Sequence, residues 1–144
     1  MTAKRRADVF WEKDLVHGNG RVSLGSKALP EFPVTWASRT EEPGGKTSPE
    51  ELLAAAQAAC YAMAFSSTLA KKGKPPESLN VSAECTFDNS TLKVSTMAIS
   101  VTGKVPGMND PSEFRAAAEA AEKICPVANA IRNNVEITLS ATLA

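Results

Sequence analysis

Between Leu52 and Ala70 the chain runs for nineteen residues without a charge, a glycine or a proline. The segment reads Leu-Leu-Ala-Ala-Ala-Gln-Ala-Ala-Cys-Tyr-Ala-Met-Ala-Phe-Ser-Ser-Thr-Leu-Ala. Glycine and proline are what break helices, and alanine is the strongest helix former, so the run reads as one long helix. Its start is written just upstream. Ser48 suits the N-cap, Pro49 the first helical position, and Glu51, three residues after Ser48, closes a capping box. Its stop is Lys71-Lys72-Gly73, cations in the last turn followed by a glycine. A helix apolar nearly all the way round is a buried helix. Length alone would also permit a membrane span. Eight alanines, with Gln57, Ser66, Ser67 and Thr68, argue instead for a core helix on which other elements pack closely, and no membrane partner is expected.

The chain has 144 residues, the size of one domain spanning 1–144. Covering every face of such a helix from within one chain of this length is difficult, so a homodimer is expected. Short strands are expected over Ala7 to Lys13, Arg21 to Gly25 and Val34 to Arg39, with a charged loop from Glu41 to Lys46. After the helix, Leu79, Val81, Ala83, Cys85 and Phe87 alternate with polar residues as one strand. Asp88-Asn89-Ser90 reads as a turn, and Leu92 to Val105 as a second long strand whose apolar phase slips near Ser95-Thr96, the mark of a bulge. Asp110-Pro111-Ser112-Glu113 opens a helix to about Ile124, Pro126 interrupts it, and Val127 to Arg132 resumes it. Val135, Ile137, Leu139, Ala141 and Leu143 alternate in a closing strand. The order βββ–α–ββ–αα–β implies an α+β fold with mainly antiparallel sheets.

Sixteen basic and sixteen acidic residues cancel, which leaves no surplus to draw in nucleic acid or anionic lipid. No apolar stretch follows the N-terminal charges Lys4-Arg5-Arg6, so no secretory signal is expected and the cytoplasm is the expected compartment. In a reducing compartment the three cysteines, Cys60, Cys85 and Cys125, make no disulfide framework. With no C-x-x-C and one histidine, His17, a closed zinc site lacks ligands, and no metal or cofactor is expected.

Chemistry then rests on the thiols. Cys85 lies on the apolar side of its strand and reads as a small core residue. Cys60, in the middle of the Ala-rich helix, has a core and a reactive reading. Cys125, just before Pro126 where one helix breaks and another begins, is near a helix N-terminus that favours a thiolate, and a core reading stands equally beside the functional one. A reactive thiol needs a cation beside it, and a guanidinium oriented by a carboxylate supplies one. His17, in a glycine-rich loop, reads as a surface residue. Arg39 and Arg21 are the candidate cations. Glu50 is the free carboxylate, because Glu51 is occupied by the cap. Glu50 and Cys60 stand ten residues apart in one helix, roughly 15 Å of rise. They share a site only if Glu50 works through Arg39 or reaches the Cys60 of another subunit.

The segment Ser48-Pro49-Glu50-Glu51-Leu52-Leu53-Ala54-Ala55-Ala56-Gln57-Ala58-Ala59-Cys60 resembles the helix motif of the OsmC/Ohr family, the osmotically inducible and organic hydroperoxide resistance proteins. Cys125-Pro126-Val127 resembles the second cysteine motif of that family, and the likeness covers nearly the whole chain. The resemblance implies an intertwined homodimer, its antiparallel sheets wrapped around the long central helix, with sites at the interface. It implies that Cys60 is the peroxidatic thiolate, Cys125 the resolving thiol, and Arg39 and Glu50 the groups that activate Cys60. The loop after Arg39, Thr-Glu-Glu-Pro-Gly-Gly, looks like the OsmC branch; Arg21 sits where the Ohr branch would take its arginine. The implied reaction reduces organic hydroperoxides through a Cys60 sulfenic acid and a Cys60–Cys125 disulfide, recycled by a thiol or a lipoyl-type dithiol. An apolar lining from Tyr61, Met63 and Phe65 would favour bulky peroxides. Two other classes compete with this reading: a non-catalytic dimeric protein that binds a small hydrophobic ligand, and a redox switch.

Overall fold

In the computed structural model, which describes all of residues 1–144, the elements follow in the order βββ–αα–ββ–αα–β. They divide into two compact units, Met1–Leu52 and Leu53–Ala144.

The first unit holds β1 (Ala7–Glu12), β2 (Asn19–Leu24) and β3 (Phe32–Val34), an antiparallel sheet in the order β1-β2-β3. Val9 and Phe10 of β1 are largely exposed in this single chain. The strand expected over Val34 to Arg39 is not formed. β3 ends at Val34, and Trp36–Thr40 form a short helix, α1. The cause is a reciprocal cap. Ser38 N donates to Thr35 Oγ1 at 3.1 Å, and Thr35 N donates to Ser38 Oγ at 3.0 Å. The Ser38 hydroxyl also donates to the Thr47 carbonyl at 2.8 Å, and Thr47 N donates to Pro33 O at 3.0 Å. These bonds tie the segment after the loop to α1 and β3.

The long helix, α2 (Pro49–Lys71), starts and stops where its punctuation says. Ser48 Oγ accepts the Glu51 N–H at 3.1 Å. The other half of the expected capping box is replaced, for the Glu51 carboxylate takes the Thr47 hydroxyl at 2.7 Å. At the far end Gly73 has φ +76°. There Gly73 N donates to Ala70 O and Lys74 N to Leu69 O, the paired bonds of a Schellman stop. α2 is long and apolar enough by length and composition to cross a bilayer. Within the chain, though, one stripe of it is fully buried in protein: Gln57, Tyr61, Phe65 and Leu69, spaced four apart so that they share a face. Leu53 and Met63 stay exposed, at 37% and 72%. The expectation of burial on every face is therefore not met by one chain alone.

The second unit packs that stripe. β4 (Ser78–Asp88) and β5 (Lys93–Lys104) form a hairpin. Asp88 Oδ1 holds its turn by accepting from Ser90 N and Ser90 Oγ. The register slips between Thr86 and Phe87, which pair with Thr96 and Val94 and leave Ser95 as the extra residue. α3 (Pro111–Ile124) is capped by Asp110, whose carboxylate accepts the Ser112 N–H. α4 (Pro126–Ile131) follows directly, and β6 (Glu136–Leu143) closes the sheet in the order β4-β5-β6. β6 lies parallel to β5, because a helical crossover returns the chain in the same direction; the sheets are antiparallel otherwise. The core joins Tyr61, Phe65 and Leu69 to Met97, Ile99 and Phe114. The Phe65 ring stands 5.7 Å from Tyr61 and 5.1 Å from Phe114.

Gly103 is where this core is tightest. A Cβ there would lie 2.6 Å from Phe114 Cζ and 2.9 Å from Leu79 Cδ2, and Phe114 is fully buried with no room to give. Alanine favours a strand over glycine by less than such overpacking costs. Gly103→Ala should therefore lose about 1–3 kcal/mol, read as a lower urea midpoint at unchanged slope; a higher midpoint would show that the ring yields.

Candidate thiol site

α2 and the α3–α4 elbow bring two thiols together in the second unit. Pro126 cannot continue α3, so Cys125 takes extended backbone geometry (φ −72°, ψ 114°) as C-cap of α3 and N-cap of α4. Its side chain is fully buried. Cys60, half-buried on α2, is in hydrogen-bonding contact with Cys125 and accepts the Val127 N–H from the first turn of α4. Neither sulfur is in a disulfide. The sequence placed Cys125 at the helix N-terminus; the amide that α4 offers there reaches Cys60, and no side-chain cap bond is made by Cys125.

The electrostatics around Cys60 favour its protonated state. Burial pushes the Cys60 thiol above its ordinary value, and the neighbouring Cys125 pushes it further; the Val127 N–H opposes both without cancelling them. None of the groups acting on Cys60 in this way is a cation. Tyr61, one residue on, donates its hydroxyl to the Ala118 carbonyl at 2.9 Å. Burial, then the charges of Glu122 and Cys125, raise its pKa far above the ordinary tyrosine value, so it remains a neutral tie between α2 and α3.

The elbow is braced. Arg132 Nη2 donates to the Glu122 carbonyl at 3.1 Å, and Asn129 Nδ2 to the Lys123 carbonyl at 3.1 Å. Both carbonyls belong to the last turn of α3, which the Pro126 break leaves short of partners. Arg132 Nη1 also lies 2.6 Å from Glu122 Oε1, a charge contact and not an aligned hydrogen bond.

In the first unit Arg39 and Glu50 form a fork. Arg39 Nε and Nη2 donate to Glu50 Oε1 at 3.0 and 2.8 Å, and Nε reaches Oε2 at 3.2 Å. Glu50 is buried while the guanidinium is about one-third exposed (30%), and it stands 5.8 Å from the Trp36 ring. α1 makes this possible, because a strand through Arg39 would not be tied to Thr47 and the start of α2. Arg21 is placed differently. It pairs with Glu31 at 3.1 Å, both about half exposed, and covers the Phe10 ring at 5.0 Å. His17 is an exposed partner of Asp14, and Cys85 packs against the core. No cluster of three or more His, Cys, Asp and Glu side chains is placed to hold a metal.

Two features depart from the sequence reading. Tyr61 and Phe65 are fully buried core residues and cannot line an open apolar site, and Met63 points to the exposed side of α2. Gln57 was passed over as one polar residue in a long helix. It is fully buried and donates to Cys125 Sγ at 3.4 Å. Its signal was available: it is the one long polar side chain in the uncharged run, one helical turn before Cys60.

Comparison with known proteins places the chain in a family. A family model described as OsmC-like protein matches residues 42–140. The chain is 35% identical to peroxiredoxin OsmC of Escherichia coli over 96% of each chain. It is 31% identical to organic hydroperoxide resistance protein-like 1 of Staphylococcus saprophyticus, over 85% of this chain and 86% of that one. Among solved structures, an organic hydroperoxide resistance protein OsmC from Legionella pneumophila superposes with a TM-score of 0.73 at 24% identity, over 98% of this chain and 99% of that chain. The two cysteine motifs, the α+β architecture and the matched family model lead to one assignment: the chain belongs to the OsmC-like family.

Proposed function

We propose that this protein is a cytoplasmic thiol peroxidase that reduces organic hydroperoxides to alcohols. The observation that carries the reading is the contact between Cys60 and Cys125, two free thiols far apart in sequence. The names of the relatives, a peroxiredoxin and organic hydroperoxide resistance proteins, point the same way.

The chemistry runs in three steps. The Cys60 thiolate attacks the terminal peroxide oxygen, the O–O bond breaks, and the alkoxide leaves and takes up a proton to become the alcohol. Cys60 is left as a sulfenic acid. Cys125 condenses with it, forming the S–S bond and releasing water. An external thiol or a dithiol of the lipoyl type then reduces the bridge by exchange.

Cys60 needs a cation to become a thiolate, since burial holds it protonated. We assign that role to Arg39, oriented by Glu50, and not to Arg21, which is engaged with Glu31 at the surface. The fork is supplied by a second copy of the chain. Support comes from the ten-residue spacing of Glu50 and Cys60, and from apolar side chains left uncovered on α2 (Leu53, Met63) and β1 (Val9, Phe10). A homodimer would cover them.

Peroxide consumption with excess dithiothreitol should cease in Cys60→Ser and persist near the wild-type level in Cys85→Ser; activity surviving in Cys60→Ser would sink the assignment. The Arg39 role has its own readout. A guanidinium beside a thiolate moves its pKa down by about 1–3, so Arg39→Ala should slow Cys60 alkylation by iodoacetamide at neutral pH about tenfold or more. The half-maximal pH for alkylation should rise in that variant; equal rates and equal profiles would remove Arg39 from the site.

A further inference from the structure

Gln57 occupies a position that an apolar residue would fill at less cost. It shares its buried stripe with Tyr61, Phe65 and Leu69. Its Nε2 donates to Cys125 Sγ at 3.4 Å, while its Oε1 is buried with no hydrogen-bond partner. A carbonyl left that way is destabilising, and a leucine would remove the penalty. The amide also lies three residues before Cys60, on the same face of α2. One end of Gln57 thus touches the second thiol, and the other is an unused acceptor one turn from the first.

We propose that Gln57 is a catalytic residue of the resolving step, a role that rests on the peroxidase reading above. In that step the Cys125 sulfur attacks the Cys60 sulfur of the sulfenic acid. The S–S bond forms, the S–O bond breaks, and the departing hydroxide takes the Cys125 thiol proton and leaves as water. The Cys125 sulfur is oxidised and the Cys60 sulfur reduced by the same electron pair. Negative charge grows on the Cys125 sulfur as its proton departs, and the Gln57 N–H is already directed at it. The sulfenic acid introduces an O–H donor beside Cys60 that the thiol lacks. Gln57 Oε1 accepts it, so the acceptor that stands empty in the reduced protein is filled in the intermediate. Turned that way, the S–OH group presents its sulfur to Cys125.

The test is a single turnover with cumene hydroperoxide, quenched in dimedone. Mass spectrometry then gives the ratio of Cys60–dimedone adduct to Cys60–Cys125 disulfide. Gln57→Leu should raise this ratio about tenfold, the effect of losing one hydrogen bond to a charged group, while unfolding in urea at the wild-type midpoint or above it. Gln57→His, which keeps a donor and an acceptor, should bring the ratio back toward wild type; Gln57→Met replaces the leucine variant if that one does not fold. A wild type that forms the disulfide, with an apolar variant that shows the same ratio, overturns the role of Gln57 and leaves the peroxidase intact. A wild type that forms no disulfide overturns both.

Discussion

A half-buried thiol packed against a second, fully buried thiol resists ionisation, and much of this molecule's arrangement bears on that contact. Burial, and to a smaller extent the Cys125 neighbour, hold Cys60 protonated, and the Val127 amide opposes them without cancelling them. A thiol held this way needs a cation beside it to become a thiolate.

The contact depends on a long uninterrupted helix and on one that breaks. α2 packs against the core through a stripe of side chains four apart, and Tyr61 ties it to α3 through the Ala118 carbonyl. Pro126 breaks α3 so that Cys125 faces α2 from the elbow. The carbonyls freed by the break are taken up by Arg132 and Asn129, so the elbow is fixed by hydrogen bonds and not merely permitted by the proline. In the first unit the same logic places the guanidinium: a short capped helix sets Arg39 against the buried carboxylate at the start of α2.

The most local signals were the legible ones. α2 was evident because its composition excludes every breaker and its caps are written on both sides. The extra residue Ser95 was evident because the apolar phase of β5 slips there, and the elbow because proline follows Cys125. What escaped reading depended on partners distant in sequence. Val-Thr-Trp-Ala-Ser-Arg contains good strand formers, and only the exchange of bonds between Thr35 and Ser38, with the Ser38 hydroxyl anchored on Thr47, makes it helical. The alternation of β6 says which face is buried and nothing of strand direction. Tyr61 and Phe65 looked like site lining because a helix apolar on all sides does not disclose which stripe meets its own core. Of the site itself, the pairing of Arg39 with Glu50 was readable; Gln57 stands out in the sequence as the one long polar side chain of the run, but its contact with Cys125, 68 residues away, is not legible there.

The claim on which most depends is that thiol and guanidinium come from different chains. Cys60→Ser protein, expected to be inactive, and Arg39→Ala protein, expected to be about tenfold slower or worse, can be mixed, unfolded together and refolded, and assayed for peroxide consumption against each variant alone. In mixed dimers the Arg39→Ala chain supplies Cys60 and the Cys60→Ser chain supplies Arg39, so one of two sites is whole. With random pairing in a two-fold dimer, recovery of about a quarter of wild-type activity is the expected result. No recovery, in a sample where mixed dimers are shown to form, would contradict a site shared between chains.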